Sequence, residues 1–234
     1  MSGTCALRFD GLQKTTLLDY PGKVACTVFL GGCNLRCPFC HNASLVLHPT
    51  QTMDEAEILD YLKRRQGILD GVCVTGGEPL LQKGLGDFLR RVRDLGFAVK
   101  LDTNGSFPDR LRAMAETGLL DYVAMDIKNC RPRYAETVGV PDFDTGPIVE
   151  SAAFLMDGGV DYEFRTTVVR QFHDADSIRS ISSWLEGAKR YFLQNFVDSG
   201  DLLSDGLSAW DAGTLEQFRT ICAQRIAHVG LRGV

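Results

Sequence analysis

Three cysteines stand within eight residues: Cys33, Cys37 and Cys40, in the stretch "GGCNLRCPFCHN" at 31–42. A structural zinc site is closed by four protein ligands. Three thiolates leave it one short, unless a distant side chain such as His48 completes it. A four-iron cluster normally takes four cysteines. With three, one iron keeps an open position where another molecule binds and is activated, as at catalytic rather than structural metals. The group therefore suits chemistry better than scaffolding. The other five cysteines, Cys5, Cys26, Cys73, Cys130 and Cys222, are scattered singly and read as small buried hydrophobes.

More polar groups follow at intervals: "GGEP" at 76–79, "DTNG" at 102–105 and "DIK" at 126–128. The elements between them show why they belong together. Runs rich in β-branched and aromatic residues predict strands at 24–30, 72–75, 97–101, 122–127, 162–169 and 191–196. Helices are predicted at about 52–66, opened by a "TMDE" capping box, and at 86–95, 108–117, 148–157, 177–189 and 215–228. Strict alternation implies parallel strands joined by right-handed crossovers. Six units are too few for a closed eight-stranded barrel. The pattern alone leaves a partly open barrel and a doubly wound sheet both standing. The polar clusters favour the barrel, because loops at the C-terminal strand ends build the site there.

Composition narrows the class. The chain has 234 residues, 44% hydrophobic, and a formal charge of −5. No basic run offers a nucleic-acid or anionic membrane surface, so neither partner is expected. No stretch has the length of a membrane span, and the N-terminus lacks the apolar run of a signal peptide. A cytoplasmic location is expected. Clustered cysteines in that compartment hold metal or do redox work more often than they form disulfides.

The spacing Cys33-x3-Cys37-x2-Cys40, with Phe39 before the last cysteine, is similar to the signature of the radical S-adenosylmethionine enzymes. The resemblance implies a partial (β/α)6 barrel with parallel strands, forming a single domain over 1–234. It implies a [4Fe–4S] cluster on the three cysteines, with the open iron chelated by the methionine moiety of S-adenosylmethionine. One electron then cleaves the S–C5′ bond and yields a 5′-deoxyadenosyl radical. Gly76, Gly77 and Glu78 resemble the family's "GGE" motif. There the glycines admit close backbone approach, and Glu78 or a nearby carbonyl accepts from the methionine ammonium. Asp102 and Thr103 end the third strand. Asp126 and Lys128 match a pair that contacts S-adenosylmethionine in the glycyl-radical activases. Arg165, mid-strand among apolar residues, needs a buried partner: a ligand carboxylate or an internal ion pair.

The wider stretch "LLDYPGKVACTVFLGGCNLRCPFCHN" at 17–42, with "VTGGEPLLQ" downstream, resembles the activating enzymes of glycyl-radical proteins. It looks most like the anaerobic ribonucleoside-triphosphate reductase activating proteins. That implies an oxidoreductase that takes hydrogen from a glycine of a partner enzyme, with flavodoxin or ferredoxin as reductant. Two alternatives stay open: radical chemistry on a small molecule or peptide, and a non-enzymatic iron–sulfur electron carrier. The family also suggests a monovalent cation held by Asp102, Thr103 and Asp126, for which Lys128 is a competing source of positive charge. The long loop at 198–213, with Trp210, is expected either to receive the partner or to pack the last helix. Reconstituted protein should carry about four irons per chain. Alanine at Cys33, Cys37 or Cys40 should abolish cleavage of S-adenosylmethionine, and alanine at Cys5, Cys26, Cys73, Cys130 or Cys222 should not. A fully active Cys37→Ala protein would contradict the cluster assignment.

Overall fold

The structure is a computed structural model that describes residue 7 and residues 9–234. Cys5 and the extreme N-terminus lie outside the described residues. One eight-stranded sheet runs in chain order: β1 (Phe9–Thr16), β2 (Ala25–Leu30), β3 (Gly71–Gly76), β4 (Ala98–Thr103), β5 (Tyr122–Asp126), β6 (Asp161–Val168), β7 (Arg190–Asn195) and β8 (His228–Arg232). The strands from β2 to β8 are parallel, and β1 joins β2 antiparallel. β1 and β8 stand at opposite ends of that order, so the sheet is an open barrel. The six predicted strands are β2 to β7, which form the partial (β/α)6 barrel.

Among the described residues eight α-helices lie between the strands: α1 (Ala43–Leu47), α2 (Glu55–Lys63), α3 (Leu85–Asp94), α4 (Pro108–Glu116), α5 (Tyr134–Val138), α6 (Gly146–Met156), α7 (Ala175–Trp184) and α8 (Ala212–Cys222). Alternation divides each strand between two environments. Val72, Val74, Val99, Leu101, Val123 and Phe164 are fully buried in one core with Phe88, Leu89, Val92, Leu111 and Leu155 of the helices. Each such side chain contributes about 1.5–3 kcal/mol by burial. The alternate positions, Lys100, Asp102, Glu163, Arg165, Gln194 and Arg232, line a cavity on the other face.

Several elements differ from expectation. The capping box at α2 is formed by Asp54 and Glu57, each side chain accepting from the other's backbone N–H, rather than by "TMDE". Asp54 is extended, whereas Thr52 lies a turn further out, where its N–H donates to the Phe9 carbonyl. The last predicted helix stops at Cys222, and His228 begins β8 instead. β8 is drawn back over the barrel by Arg232, which donates two 2.8 Å bonds to the Glu163 carboxylate. Tyr122 donates to the same carboxylate. α7 ends at Trp184, short of the predicted 189, because Gly187 takes a left-handed φ of 87°. β1 was not anticipated, since it is largely solvent-facing and carries no apolar run.

Candidate active site

The loop after β2 carries Cys33, Cys37 and Cys40, and all three line one cavity of about 240 Å³. The remaining walls come from the ends of β3 to β7: Thr75, Gly76 and Gly77, then Asp102, Thr103 and Asn104, then Asp126 and Lys128, then Arg165 and Thr167, then Gln194. Phe39 lies in the wall, with its ring 5.7 Å from that of Phe172.

The glycine turn is welded to the cysteine loop. Gly77 N–H donates to the Leu30 carbonyl at 2.8 Å, and Glu78 N–H to the Gly32 carbonyl at 2.9 Å. A Cβ on Gly77 would lie 2.0 Å from that Gly32 oxygen, and one on Gly76 would lie 2.2 Å from the Leu30 oxygen. Gly76 also has a φ of 119°. The glycines are therefore required first by the backbone of the neighbouring loop.

Glu78 does not line the cavity. Its fully buried carboxylate accepts from Leu80 N–H, Thr103 Oγ1 and Asn104 N–H at 2.9, 2.8 and 2.6 Å. It ties the end of β4 to the end of β3. Asn104, which sequence reasoning missed as a site residue, then extends its Nδ2 to Asn34 Oδ1 at 2.9 Å and lies 3.9 Å from Cys33 Sγ. His41, Asn42, Thr75, Thr167 and Gln194 were missed as well. Asn42 and Asn104 stood inside the quoted motifs. Thr167 and Gln194 are recognisable only as inward positions near the ends of β6 and β7.

Arg165 sits at the centre of a row of charges. Its Nε donates to Asp126 Oδ1 at 2.9 Å and its guanidinium to Asp102 Oδ2 at 3.1 Å. Lys100 pairs with the other oxygen of Asp102, and Lys128 Nζ is 3.0 Å from Asp126 Oδ2. Burial pushes the Asp126 carboxyl up, but Arg165 and Lys128 outweigh it and hold it at about 2. Asp102 is likewise lowered: burial is opposed by Arg165 and Lys100. Burial works to discharge Lys128, and the Asp126 carboxylate reverses it and raises Lys128 well above its ordinary value. The internal ion pair is thus the partner that Arg165 required. Arg165 bridges the two carboxylates, and Lys128 meets Asp126 alone. Three cationic side chains face two carboxylates in this row, so one positive charge is left over.

A three-thiolate iron cluster fits this wall. The three cysteines are free, and they share one cavity with a glycine turn and with Lys128 and Arg165, each paired to a carboxylate. Among the described residues, no group of three or more His, Cys, Asp or Glu side chains is arranged to hold a single metal ion. His48 is exposed at the end of α1 and does not line the cavity, so it does not complete a four-ligand zinc site there. Without metal, burial pushes the Cys33 thiol up to about 11 and the Cys37 thiol up to about 12. Metal binding at these residues therefore displaces protons.

The model of the Radical SAM superfamily matches residues 27–181. The chain belongs to that superfamily, whose members use a [4Fe–4S] cluster and S-adenosylmethionine. A protein of Methanocaldococcus jannaschii, named among the glycyl-radical enzyme activating enzymes, is 33% identical over 195 residues, covering 80% of this chain and 79% of its own. The pyruvate formate-lyase-activating enzyme of Listeria monocytogenes is 29% identical over 163 residues, 64% of each chain. Among solved structures, Streptococcus suis SuiB bound to S-adenosylmethionine matches with a TM-score of 0.69 at 13% identity. That match covers 86% of this chain but only 48% of SuiB, so the chain spans about half of SuiB's length, and the likeness is one of fold. No helix among the described residues is long and apolar enough to cross a membrane.

The environment of Glu78 makes stability depend on pH. Burial, opposed by its three donors, raises its carboxyl from 4.5 to about 7. Between those values the folded chain keeps a proton that the unfolded chain releases. Stability should therefore fall as pH rises through this window, by at most about 3 kcal/mol, and level off above it. Glu78→Gln, which cannot ionise, should lose this slope in urea unfolding of the cofactor-free protein. Parallel pH profiles for the two proteins would contradict the assignment.

Proposed function

We propose that this chain is the activating enzyme of a glycyl-radical protein. The observation that carries the reading is the 33% identity to the M. jannaschii relative over most of both chains. The site supports it. Cys33, Cys37 and Cys40 hold the cluster, and Phe39 packs the loop between the last two. The turn at Gly76 and Gly77 offers backbone carbonyls to the methionine ammonium, and Glu78 acts behind it by fixing Thr103 and Asn104. Lys128 and Arg165, which line the cavity, offer cationic N–H donors to a ligand carboxylate. When bound, the cluster and S-adenosylmethionine supply one-electron cleavage and hydrogen abstraction. The chain's own residues orient these groups and shield them from competing reactions. In this reading the partner is an anaerobic ribonucleoside-triphosphate reductase, and flavodoxin or ferredoxin delivers the electron.

Trp210 does not support the expected docking role. Its indole N–H donates to the His173 carbonyl at 3.0 Å, and its ring meets Phe218 edge-on at 5.8 Å. It packs α8 against the barrel.

A second reading, radical chemistry on a small molecule, is favoured by one observation. A further cavity of about 430 Å³ is lined by Leu18, Asp19, Glu163 and Arg232, and it shares Asp102, Arg165 and Gln194 with the first. One experiment separates the readings. Reduced, reconstituted protein is mixed with S-adenosylmethionine and the glycyl-radical protein encoded nearest its own gene. Activation predicts 5′-deoxyadenosine together with a glycyl-radical doublet in the electron paramagnetic resonance spectrum of the partner. 5′-Deoxyadenosine without any partner radical would favour the small-molecule reading. Neither product would indicate an electron carrier.

A further inference from the structure

The match to the superfamily ends at residue 181, yet the segment from 198 to 211 reaches back onto the cysteine loop. It leaves the end of β7 and returns to α8, fastened at two places. At its far end Arg170 N–H donates to the Ser208 carbonyl at 3.0 Å. Gln171 exchanges bonds with Ser208 there, donating to its Oγ and accepting from its N–H at 3.0 and 3.1 Å. Trp210 is tied to His173 at the same end, and Asn195 Nδ2 holds the Trp210 carbonyl at 3.1 Å.

Its near end grips the second half of the cysteine loop. Ser204 N–H donates to the carbonyl of Pro38, which lies between Cys37 and Cys40. Ala43 N–H donates to the Asp201 carbonyl at 3.4 Å. The Asp201 carboxylate accepts from Ser44 N–H at 3.2 Å and from Ser44 Oγ at 2.7 Å. The His41 ring rests 5.8 Å from that of Phe196, which lies just before the segment. Asp201 so occupies the place of an N-terminal cap for α1, which has no side-chain cap from its own Asn42. The first half of the loop is held by other groups. Arg36 donates to the Cys33 and Leu35 carbonyls at 2.8 and 2.7 Å, and its own N–H donates to the Val138 carbonyl.

We propose that the segment 198–211 is a brace for the cluster-binding loop, and that Asp201 is the positioning residue through which it holds Cys40 in place. A carboxylate accepting from the N–H and hydroxyl of Ser44, four residues after the last cysteine, resists the opening of that end of the loop, which must open for the cluster to leave. The inference rests on the three-cysteine cluster site and not on the identity of the substrate.

The test is made on reconstituted holoenzyme by following iron release to a ferrous chelator. Asp201→Ala should accelerate release about tenfold, the factor that some 1.4 kcal/mol of lost charged hydrogen bonding produces. It should also alter the line shape of the reduced cluster in electron paramagnetic resonance. The melting temperature of the cofactor-free protein should stay within a few degrees of the parent. Asp201→Asn, which keeps one acceptor oxygen, should restore part of the difference. Asp205→Ala, at an exposed position of the same segment, should change nothing. Ser44→Ala deletes the hydroxyl bond and leaves the backbone contacts. It should give a two- to threefold acceleration, and it keeps the question decidable if Asp201→Ala does not fold. Release rates and spectra equal to the parent's in the folded variants would overturn the proposal. So would an acceleration that only follows a matching loss of melting temperature.

Discussion

The structure depends on one constraint: charges inside the barrel must be paired. An unpaired buried charge is strongly destabilising, so the interior tolerates Lys100, Asp102, Asp126, Lys128 and Arg165 only as a connected row. Arg165 makes the connection. It stands opposite Asp126 in the β5–β6 register and reaches past it to Asp102 on β4. Three strand ends are thereby held at one level. Glu163 and Arg232 repeat the arrangement lower down and bring β8 into it. The upper row has one cation more than it has carboxylates: Lys128 and Arg165 line the cavity of the three cysteines, and Lys100 lines the second cavity.

The cysteine loop is built onto this platform from several sides. The Gly76–Gly77 turn approaches its backbone more closely than any side chain would permit. Glu78, turned away from the cavity, carries that contact on to Thr103 and Asn104, and Asn104 returns to Asn34 beside Cys33. His173 contributes from beneath. Its Nε2 meets the Lys128 carbonyl at 2.8 Å, its ring lies edge-on to Phe39, and its carbonyl receives Trp210. Burial pushes this imidazole down to about 4, which keeps it neutral among those contacts. A loop of mostly irregular backbone is thus fixed by hydrogen bonds from neighbours distant in sequence.

Much of this was legible in the sequence, because the relevant signals are local. Cys33, Cys37 and Cys40 declare themselves by spacing, and β2 to β7 by apolar runs separated by helix patterns. Other features depend on tertiary contact. β1 has little apolar signal, and β8 owes its place to Arg232 finding Glu163 some seventy residues away. Either Glu78 or a nearby carbonyl was expected to face the ligand, and a motif cannot say to which side a carboxylate turns; in the structure Glu78 turns to Leu80, Thr103 and Asn104. Arg165 was recognised as needing a partner, yet only the folded chain shows that Asp102 and Asp126 share it. Thr167 and Gln194 have no signature beyond their position near strand ends.

The central claim is that the three thiolates leave one iron open to S-adenosylmethionine beside the charged row. It is tested most directly by electron paramagnetic resonance on the dithionite-reduced cluster, with S-adenosylmethionine carrying a nitrogen-15 label in its methionine amino group. The account predicts a change in the cluster signal when the labelled molecule is added, with a hyperfine coupling to the label that is lost in Cys37→Ala. A signal unchanged by S-adenosylmethionine, with no coupling to the label, would contradict it.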